Sequence, residues 1–279
     1  MMFFLGTGAG EGTPDPFCSC QVCENARKLG GKEIRTRSAF LADDVMVDLG
    51  SDYFAQCAKY RLSLADLEHL LISHTHDDHM DERMIWEHFV ARGDREKTLN
   101  IYLSKDGMRF YEEWYLKKYP PEWLRGIELT SLEIGEYRQI GSWKVKPLRG
   151  RHSTEFEKNS TNYLMEKPGM KLYYALDSGY FLDETFEALK GEKLDVLIME
   201  CTNPILDRRV TGRTAGHMDY FTAMETLEEL YQRDTITDAT RVYFTHISPN
   251  ETTHAMLEEH LAGLDTPYRI IAAYDGLEI

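Results

Sequence analysis

The sequence has no apolar stretch that approaches the roughly 18 residues a membrane-spanning helix requires. Its first residues, MMFFLGTGAG, carry no basic region of the kind that opens a secretory signal peptide. The 279 residues contain no Ser/Pro/Gly-rich linker, no low-complexity tract and no short repeat. We therefore expect a cytoplasmic protein without a membrane partner, in which residues 1–279 form a single domain.

Positive charge is also scarce, because 32 Lys and Arg residues stand against 47 Asp and Glu residues, for a formal net charge of −15. Such a surface repels a phosphate backbone, so extended nucleic acid is not an expected partner. Hydrophobic residues make up 42% of the chain, which is enough for a substantial core and too much for a disordered protein.

Only five cysteines occur, yet three of them crowd together as Cys18, Cys20 and Cys23. Without an export signal, disulfides are not the expected use of these thiols. A tight thiol cluster in a reducing compartment indicates a metal clip, and thiolate ligands at this spacing favour zinc. The sequence therefore predicts a structural zinc site in a loop at residues 15–25.

Short apolar, β-rich runs bounded by Gly, Asp, Ser or charged residues predict ten strands. They lie at residues 3–5, 39–41, 45–47, 70–72, 99–102, 143–148, 162–165, 171–176, 195–199 and 241–244. Helical patterns lie at residues 81–91, 105–118, 184–189, 218–232 and 252–261. The order of these elements predicts an α/β sandwich with four αββα layers and a helical insert near residues 80–125. The glycine-rich residues 6–12 lack the G-x-G-x-x-G spacing of a dinucleotide site, so we interpret them as a turn.

The strongest chemical signal is SHTHDDH at residues 73–79, directly after a predicted strand. A strand that ends there would release three histidines and two aspartates into a loop at the sheet edge. Imidazole and carboxylate are ligands for divalent ions such as zinc, manganese or iron. Three further candidates, His152, Asp177 and His246, each follow another predicted strand. Together with the first cluster they would complete a two-metal site.

On these motifs the chain resembles the metallo-β-lactamase superfamily. Within it, the chain is most similar to the cyclic phosphodiesterases related to the accessory protein of the carbon–phosphorus lyase pathway. The motifs that carry this resemblance run from residue 4 to residue 248. They are FLGTG at 4–8, the cysteine cluster, H-x-H-x-D-H at 74–79, His152, LDS at 176–178, GHM at 216–218 and THIS at 245–248.

The resemblance implies two divalent metal ions, Mn or Zn and possibly Fe, that share Asp177 as a bridging ligand. The other ligands of the first ion would be His74, His76 and His152. The other ligands of the second would be Asp78, His79 and His246, and Asp78 is also a predicted catalytic residue. A hydroxide between the two ions would be the nucleophile of an in-line displacement.

The resemblance further implies that His217 faces the substrate phosphate and acts as a general acid. The alternative is that His217 only precedes the helix predicted to start at residue 218. The nearest predicted cations are Arg149 and Arg151. Either could contact a phosphate, but we expect ordinary solvated loop residues.

A closed structural zinc site needs a fourth ligand beside the three cysteines. The family often supplies it with a histidine three residues after the last catalytic histidine, and that position is Pro249 here. The remaining soft candidates are His254 and Cys201, of which we predict His254.

The predicted function is that of a dinuclear-metal-dependent phosphodiesterase with a small or cyclic phosphodiester as its substrate. A thioesterase or lactonase on the same site is one alternative. A cofactor-biosynthesis accessory protein of the same fold is another, although the complete ligand set counts against it. The −15 charge and the lack of a basic, glycine-rich arm disfavour a ribonuclease Z-like enzyme. The Tyr- and Trp-rich segment 105–126 would cover the active site or form a homodimer face.

Overall fold

Two mixed β-sheets lie face to face in the computed structural model, which describes residues 1–93 and 97–279. The strands of the first sheet are β1 Met2–Gly6, β2 Ala39–Ala42, β3 Val45–Val47, β4 His69–Leu71, β5 Leu99–Ser104 and β6 Ile127–Leu132. Those of the second are β7 Arg138–Ile140, β8 Trp143–Arg149, β9 Thr161–Lys167, β10 Met170–Ala175, β11 Val196–Glu200, β12 Arg241–Thr245 and β13 Arg269–Ala272. In both sheets, strands that are consecutive in the chain are also neighbours in space.

Helices connect the parallel strands of each sheet. The α-helices are α1 Gln21–Leu29, α2 Tyr53–Tyr60, α3 Arg83–Arg92, α4 Leu116–Lys118, α5 Asp183–Leu189, α6 Tyr220–Gln232 and α7 His254–Ala262. A π-helical segment, Phe110–Tyr115, leads directly into α4, and short 3₁₀ turns lie at Gly31–Glu33 and Pro121–Leu124. Strands β3 to β6 run parallel, as do β10 to β13, because a helical crossover returns the chain to the same end of the sheet each time.

Successive side chains of a strand point to opposite faces of the sheet, so they pack in different layers of the protein. In β10, Leu172 and Tyr174 pack between the two sheets, whereas Tyr173 and Ala175 pack against the helices outside. Trp143 is fully buried between the sheets, and its Nε1 donates a hydrogen bond to the carbonyl of Ala42 in the opposite sheet at 3.1 Å.

The outer face of each sheet is covered by helices. Buried side chains of α5, α6 and α7 cover the second sheet, and those of α2, α3 and the 110–115 segment cover the first. This arrangement confirms the predicted α/β sandwich of four αββα layers.

All ten predicted strands are present, with ends displaced by no more than two residues. The apolar runs of the sequence did not predict β6, β7 and β13, which are all edge strands of their sheets. In β6 and β7, polar and charged residues interrupt the hydrophobic period. In the predicted helical insert near 80–125, β5 passes between helical segments, and residues 94–96 lie outside the described part of the chain.

Among residues 1–93 and 97–279, no helix combines the length and apolar character needed to cross a membrane.

A buried arginine joins the two ends of the chain. The guanidinium of Arg35 donates to the hydroxyl of Thr7 at 2.8 Å, to the carbonyl of Ala273 at 2.7 Å and to Nδ1 of His254 at 2.9 Å. Burial, together with the charge of Arg35, lowers the pKa of His254 to about 4. His254 is therefore a neutral hydrogen-bond acceptor at the start of α7.

We expect the variant His254→Gln to be less sensitive to acid than the wild type. The unfolded chain protonates this histidine near pH 6.5 and the folded chain only near pH 4, so wild-type stability falls as the pH drops through that window. Glutamine still accepts from Arg35 but does not titrate. Urea unfolding at pH 7 and pH 4.5 should show an acid-induced loss of unfolding free energy that is smaller by on the order of 2 kcal/mol in the variant. An equal loss in both proteins would contradict this assignment.

Candidate metal centre

The site lies where strands of both sheets end. Asp48 directly follows β3, Glu200 ends β11, His246 directly follows β12, and Asp177 comes two residues after β10. The carboxyl ends of parallel strands meet at one edge of a sheet, which is where α/β proteins place their ligands. Asp48, Asp177 and His246 have left-handed backbones, with φ of 60°, 46° and 54°. Non-glycine residues adopt this conformation rarely and at some cost, and they cluster at functional sites.

One set of donor atoms comes from His74, His76, His152 and Asp177. Nε2 of His74 lies 3.1 Å from Nδ1 of His76 and 3.0 Å from Oδ2 of Asp177. Nε2 of His152 lies 3.2 Å from the same Nδ1 of His76. All four donor atoms lie within 4.8 Å of one another. The structure thus brings together the four residues assigned to the first ion.

A second set comes from Asp78, His79, His246 and again Asp177. Nε2 of His79 lies 3.2 Å from Nε2 of His246, 3.2 Å from Oδ2 of Asp78 and 3.3 Å from Oδ2 of Asp177. Nε2 of His246 lies 3.2 Å from Oδ1 of Asp177. These atoms also lie within 4.8 Å of one another. Asp177 therefore belongs to both sets, as the resemblance implies for a bridging ligand.

The chemistry of these atoms fits divalent cations. Oδ1 of Asp177 is buried and makes no well-aligned hydrogen bond, although ring nitrogens of His217 and His246 lie 3.2 Å from it, so this ionised carboxylate needs positive charge beside it. The ring nitrogens of His79 and His246 face each other at 3.2 Å, and two neutral acceptors tolerate that approach only with a proton or a cation between them. Imidazole and carboxylate donors in fours are the ligand sets of zinc and related ions.

Burial keeps two of these histidines, His152 and His76, in their neutral form. It lowers the pKa of His152 to about 4 despite the charge of Asp177, and it lowers the pKa of His76 as well. Both rings are therefore neutral at pH 7 and have a lone pair for a metal ion. His79 is fully buried, which opposes its charging, but Asp78 and Asp48 raise its pKa well above the usual value. The carboxylates around His79 thus favour a positive charge at this point, from a protonated ring or from a bound cation.

Three polar side chains that the sequence analysis missed orient the ligands. Asp48 accepts from Nδ1 of His79 at 2.8 Å, and Oγ of Ser73 lies 3.0 Å from Nδ1 of His74. The hydroxyl of Thr202 lies 3.0 Å from Nδ1 of His246. Each contact engages Nδ1 and leaves Nε2 for a cation, so the partners fix both the tautomer and the ring plane. Asp48 directly follows a strand, and that position was the only signal for it in the sequence.

Glu157 holds the loop that carries the first two histidines. Its carboxylate is buried and accepts from the backbone N–H and the hydroxyl of Thr75, at 2.7 and 2.8 Å. It also accepts from the hydroxyl of Ser104 at the end of β5, at 2.8 Å. Thr75 lies between His74 and His76, so these bonds limit the freedom of both ligands.

His217 lies beside the two donor sets and faces two carboxylates. Its Nδ1 lies 3.2 Å from Oδ1 of Asp177 and 3.4 Å from Oε2 of Glu200, and about a third of its side chain is exposed. Burial disfavours the charged ring, but Asp177 and Glu200 raise the pKa of His217 to about 11. Glu200, which the sequence analysis also missed, is fully buried and accepts from the backbone N–H groups of Ser178, Gly179 and Met218. It therefore connects the loops that carry Asp177 and His217.

A cavity of about 500 Å³ opens over the two donor sets. Its lining, among the described residues, contains no lysine or arginine. Lining residues that belong to neither donor set are Ala9, Gly10, Glu11, Asp77, Thr202, Asn203, His217, Ser248 and Asn250. Arg149 pairs with Glu184 at 2.9 Å, and Nε of Arg151 donates to the carbonyl of Tyr180 at 3.1 Å. Neither arginine lines the cavity.

The three predicted zinc cysteines also come together, with their sulfur atoms within 4.8 Å of one another. The structure does not bring His254 to them, because its ring lies against Arg35 and the ring of Tyr274. His254 is the first residue of α7, and this helix packs against β13 and the 3₁₀ turn Gly31–Glu33. Cys201, the other candidate, is buried in the core between the second sheet and its helices. The structure therefore does not support His254 as the fourth ligand.

Comparisons with known proteins agree with this geometry. A family model described as the beta-lactamase superfamily domain matches residues 44–247. An octanoyltransferase of Porphyromonas gingivalis is 24% identical over 284 residues that cover 98% of this chain and 50% of that protein, so the chain spans about half the length of this curated relative.

Three solved structures share the fold, although they are named as different kinds of protein. A diphosphatase of the PhnP family has a TM-score of 0.74 at 21% identity, with 99% of this chain and 94% of that chain covered. Zinc-bound PqqB of Methylobacterium extorquens has a TM-score of 0.69 at 15% identity, with 99% and 98% covered. The short form of human tRNase Z has a TM-score of 0.63 at 16% identity, with 99% and 97% covered. These similarities show a common fold.

We expect the variant Gly50→Ala to weaken metal binding. A Cβ on Gly50 would lie 2.0 Å from the carbonyl oxygen of Asp78, so the backbone that carries this ligand must move. Affinity for one of the two cations should fall about tenfold or more, as it does when ligand positioning is lost elsewhere. Calorimetric titration of the metal-free protein with Zn²⁺ or Mn²⁺ measures this. Gly212→Ala is the control, because a Cβ there meets nothing within 4 Å. Equal affinities in the two variants would refute the expectation.

Proposed function

The chain belongs to the beta-lactamase superfamily, whose members are hydrolases, and from this premise we propose that it is a phosphodiesterase dependent on two divalent metal ions. Its substrates would be small or cyclic phosphodiesters. The observation that carries the proposal is the convergence of two donor sets on Asp177, with the protonated His217 beside them. Such an arrangement suits the attack of water on a phosphorus centre and the departure of an alkoxide.

The residues that would hold the two cations are the donor sets described above. His74, His76 and His152 would bind the first, Asp78, His79 and His246 would bind the second, and Asp177 would serve both. When bound, a pair of divalent cations supplies Lewis-acid stabilisation of phosphoryl oxygens and activation of water at neutral pH. The protein's part is to hold these donors rigidly, through Asp48, Ser73 and Thr202, before any substrate arrives.

His217 is the residue placed to donate a proton. Its Nδ1 faces Asp177 and Glu200, so its Nε2–H is the group available to a leaving alkoxide in the cavity. With a cation on Asp177, part of that carboxylate's charge would be neutralised. Glu200 is then the carboxylate that keeps the ring protonated and in plane. A general acid in this position contributes about 10²- to 10⁴-fold to a rate.

The cavity lining favours a substrate with one negative charge. Glu11 and Asp77 line it, and no lysine or arginine does among the described residues. A second phosphate on the substrate would face these carboxylates with no lysine or arginine of the described residues beside it. The amide of Asn250 bonds to Oδ1 of Asn203 at 2.7 Å, and Oγ of Ser248 donates to Glu11 at 3.0 Å. These polar groups suit the hydroxyls of a sugar-like alcohol arm.

The comparisons support phosphorus chemistry, and one of them favours a second candidate. The diphosphatase and tRNase Z, which share the fold, are both named for reactions at phosphorus. The octanoyltransferase relative is named for acyl transfer, which favours acyl-ester or thioester hydrolysis as the second candidate. That protein is about twice as long as this chain, so its name describes more than the matched part. The net charge of −15 argues against a long RNA as substrate.

A substrate panel separates the two candidates. We expect the protein loaded with Mn²⁺, Zn²⁺ or Fe²⁺ to hydrolyse bis-(p-nitrophenyl) phosphate and 2′,3′-cyclic nucleotides. Turnover of octanoyl thioesters and lactones should be lower by about 100-fold, because a planar acyl carbon does not use the same donor geometry. Asp177→Asn, which should lose metal and activity together, controls for contaminating enzymes. Turnover of thioesters or lactones without turnover of any phosphodiester would reject the proposal.

The role of His217 is tested with two leaving groups. We expect His217→Ala to lower turnover of a 2′,3′-cyclic nucleotide by about 10²-fold or more, because the leaving alkoxide needs a proton. Turnover of bis-(p-nitrophenyl) phosphate should fall much less, since p-nitrophenolate leaves without one. Metal analysis should find the wild-type content in this variant and in the control His260→Gln, whose ring bonds Tyr220 on α6. Loss of a metal ion in His217→Ala would make this residue a ligand instead of an acid.

A further inference from the structure

A second cavity, of about 390 Å³, lies beside the cavity over the two donor sets. Asp77 lines both cavities, and it stands in the chain between the donor residues His76 and Asp78. Thr75, which precedes His76, also lines the second cavity. A substrate whose phosphate lies over the donor sets therefore has room to continue past Asp77 into this second cavity.

Aromatic and apolar side chains form one wall of the second cavity. Phe110 and Trp114 lie four residues apart in the π-helical segment and therefore on the same side of it. Their rings stack, with centroids 5.1 Å apart and an angle of 28° between the planes. Met80, which is buried, adds to the apolar lining. The Tyr- and Trp-rich segment thus supplies an aromatic surface next to the candidate metal centre, and the half-buried Trp114 is accessible from the cavity.

Asp77 offers a hydrogen-bond acceptor to both cavities. The residue is exposed and belongs to neither donor set. Within residues 1–93 and 97–279, its carboxylate makes no hydrogen bond or ion pair. An ionised carboxylate only accepts hydrogen bonds, so it favours an occupant that presents N–H or O–H donors. A neutral occupant is favoured over an anionic one, because like charges repel.

Lys118 covers Trp114 through weak contacts. Its ammonium lies 4.2 Å from the centroid of the Trp114 ring and 3.2 Å from Oε1 of Glu82, and about half of its side chain is exposed. Exposed ion pairs and exposed cation–π contacts contribute little. Stacking of a nucleobase on an aromatic side chain contributes more, so a flat ring gains more on the indole than Lys118 loses by moving aside.

We propose that the second cavity binds the alcohol arm of the substrate, and that this arm ends in a flat, neutral heterocycle with N–H donors, which is the chemistry of a nucleobase. The phosphate then lies over the donor sets, so this assignment rests on the proposed function. The ring stacks on Trp114 and donates to the carboxylate of Asp77. Guanine suits this pair, because its N1–H and N2–H present two adjacent donors to the two carboxylate oxygens. An acyl chain would cover the same wall but would desolvate Asp77 without giving it a donor.

A pair of substrates with and without a base tests this assignment. We expect wild type to hydrolyse 2′,3′-cyclic GMP with a higher kcat/KM than methyl riboside 2′,3′-cyclic phosphate, which has no base. The ratio of the two values should fall about tenfold or more in Trp114→Ala, through a higher KM for the nucleotide, because stacking is lost. It should also fall about tenfold in Asp77→Asn, since a donor replaces one acceptor oxygen. The base-free substrate corrects for any effect of Asp77→Asn on the neighbouring donor residues.

Two further variants serve as controls. Trp86→Leu removes an exposed tryptophan that lines neither cavity, so the ratio should not change. Lys118→Met should keep or raise the ratio, because no ammonium then has to leave the indole. A lower ratio in Lys118→Met would mean that the occupant needs a cation, and it would overturn the proposal. Circular dichroism and metal analysis establish that each variant is folded and holds its metal ions.

Saturation-transfer NMR with guanosine examines the same cavity without catalysis. Signals of the base should appear with wild type and Trp86→Leu and should vanish with Trp114→Ala, whereas methyl riboside should give none. Equal kcat/KM for the two cyclic phosphates in wild type would overturn the proposal while phosphodiester hydrolysis itself stands. A missing guanosine signal with wild type would overturn it too, as would a signal that survives in Trp114→Ala. A guanosine signal without turnover of any phosphodiester would instead reject the proposed function and leave a nucleobase-binding cavity.

Discussion

The carboxylate of Asp177 is the group on which the rest of the site depends. It lies fully buried between the two sheets' strand ends, on a left-handed backbone, and shares its oxygens between two sets of histidines. Burial alone would favour the neutral acid, yet the charges of His246 and His79 hold the pKa of Asp177 well below its usual range. An ionised carboxylate survives in such a place only with positive charge on both sides. The fold therefore surrounds this carboxylate with groups that carry positive charge when protonated or that can bind a cation.

The polar residues around the ligands make this arrangement rigid. Asp48 and Glu200 are both fully buried carboxylates, and both are held by backbone N–H groups and hydroxyls. Asp48 orients His79 from the first sheet, whereas Glu200 faces His217 from the second. Each sheet thus contributes a fixed carboxylate that positions a histidine belonging to the shared centre. Preorganisation of this kind costs folding stability and lowers the reorganisation needed during a reaction.

The cavity and the cysteine cluster meet at the segment 248–250. Ser248 and Asn250 line the cavity, and the carbonyl of Pro249 between them lies against Cys20. The short segment after His246 therefore forms part of the cavity wall and also contacts the cysteine cluster.

The sequence by itself determined the layers and the donor chemistry. The ten predicted strands and the histidines and aspartates of residues 74–79 carry local signals, namely a hydrophobic period and a dense H-x-H-x-D-H spacing, which need no knowledge of distant residues. Only the tertiary structure decided which of 47 acidic residues support the site. Asp48 follows one ordinary apolar strand and Glu200 ends another. Their partners His79 and His217 lie in other loops. The same reason accounts for His254, whose ring lies against Arg35 instead of the cysteines. Contacts between segments far apart in the chain depend on how the sheets and helices pack, and no spacing within one segment records them.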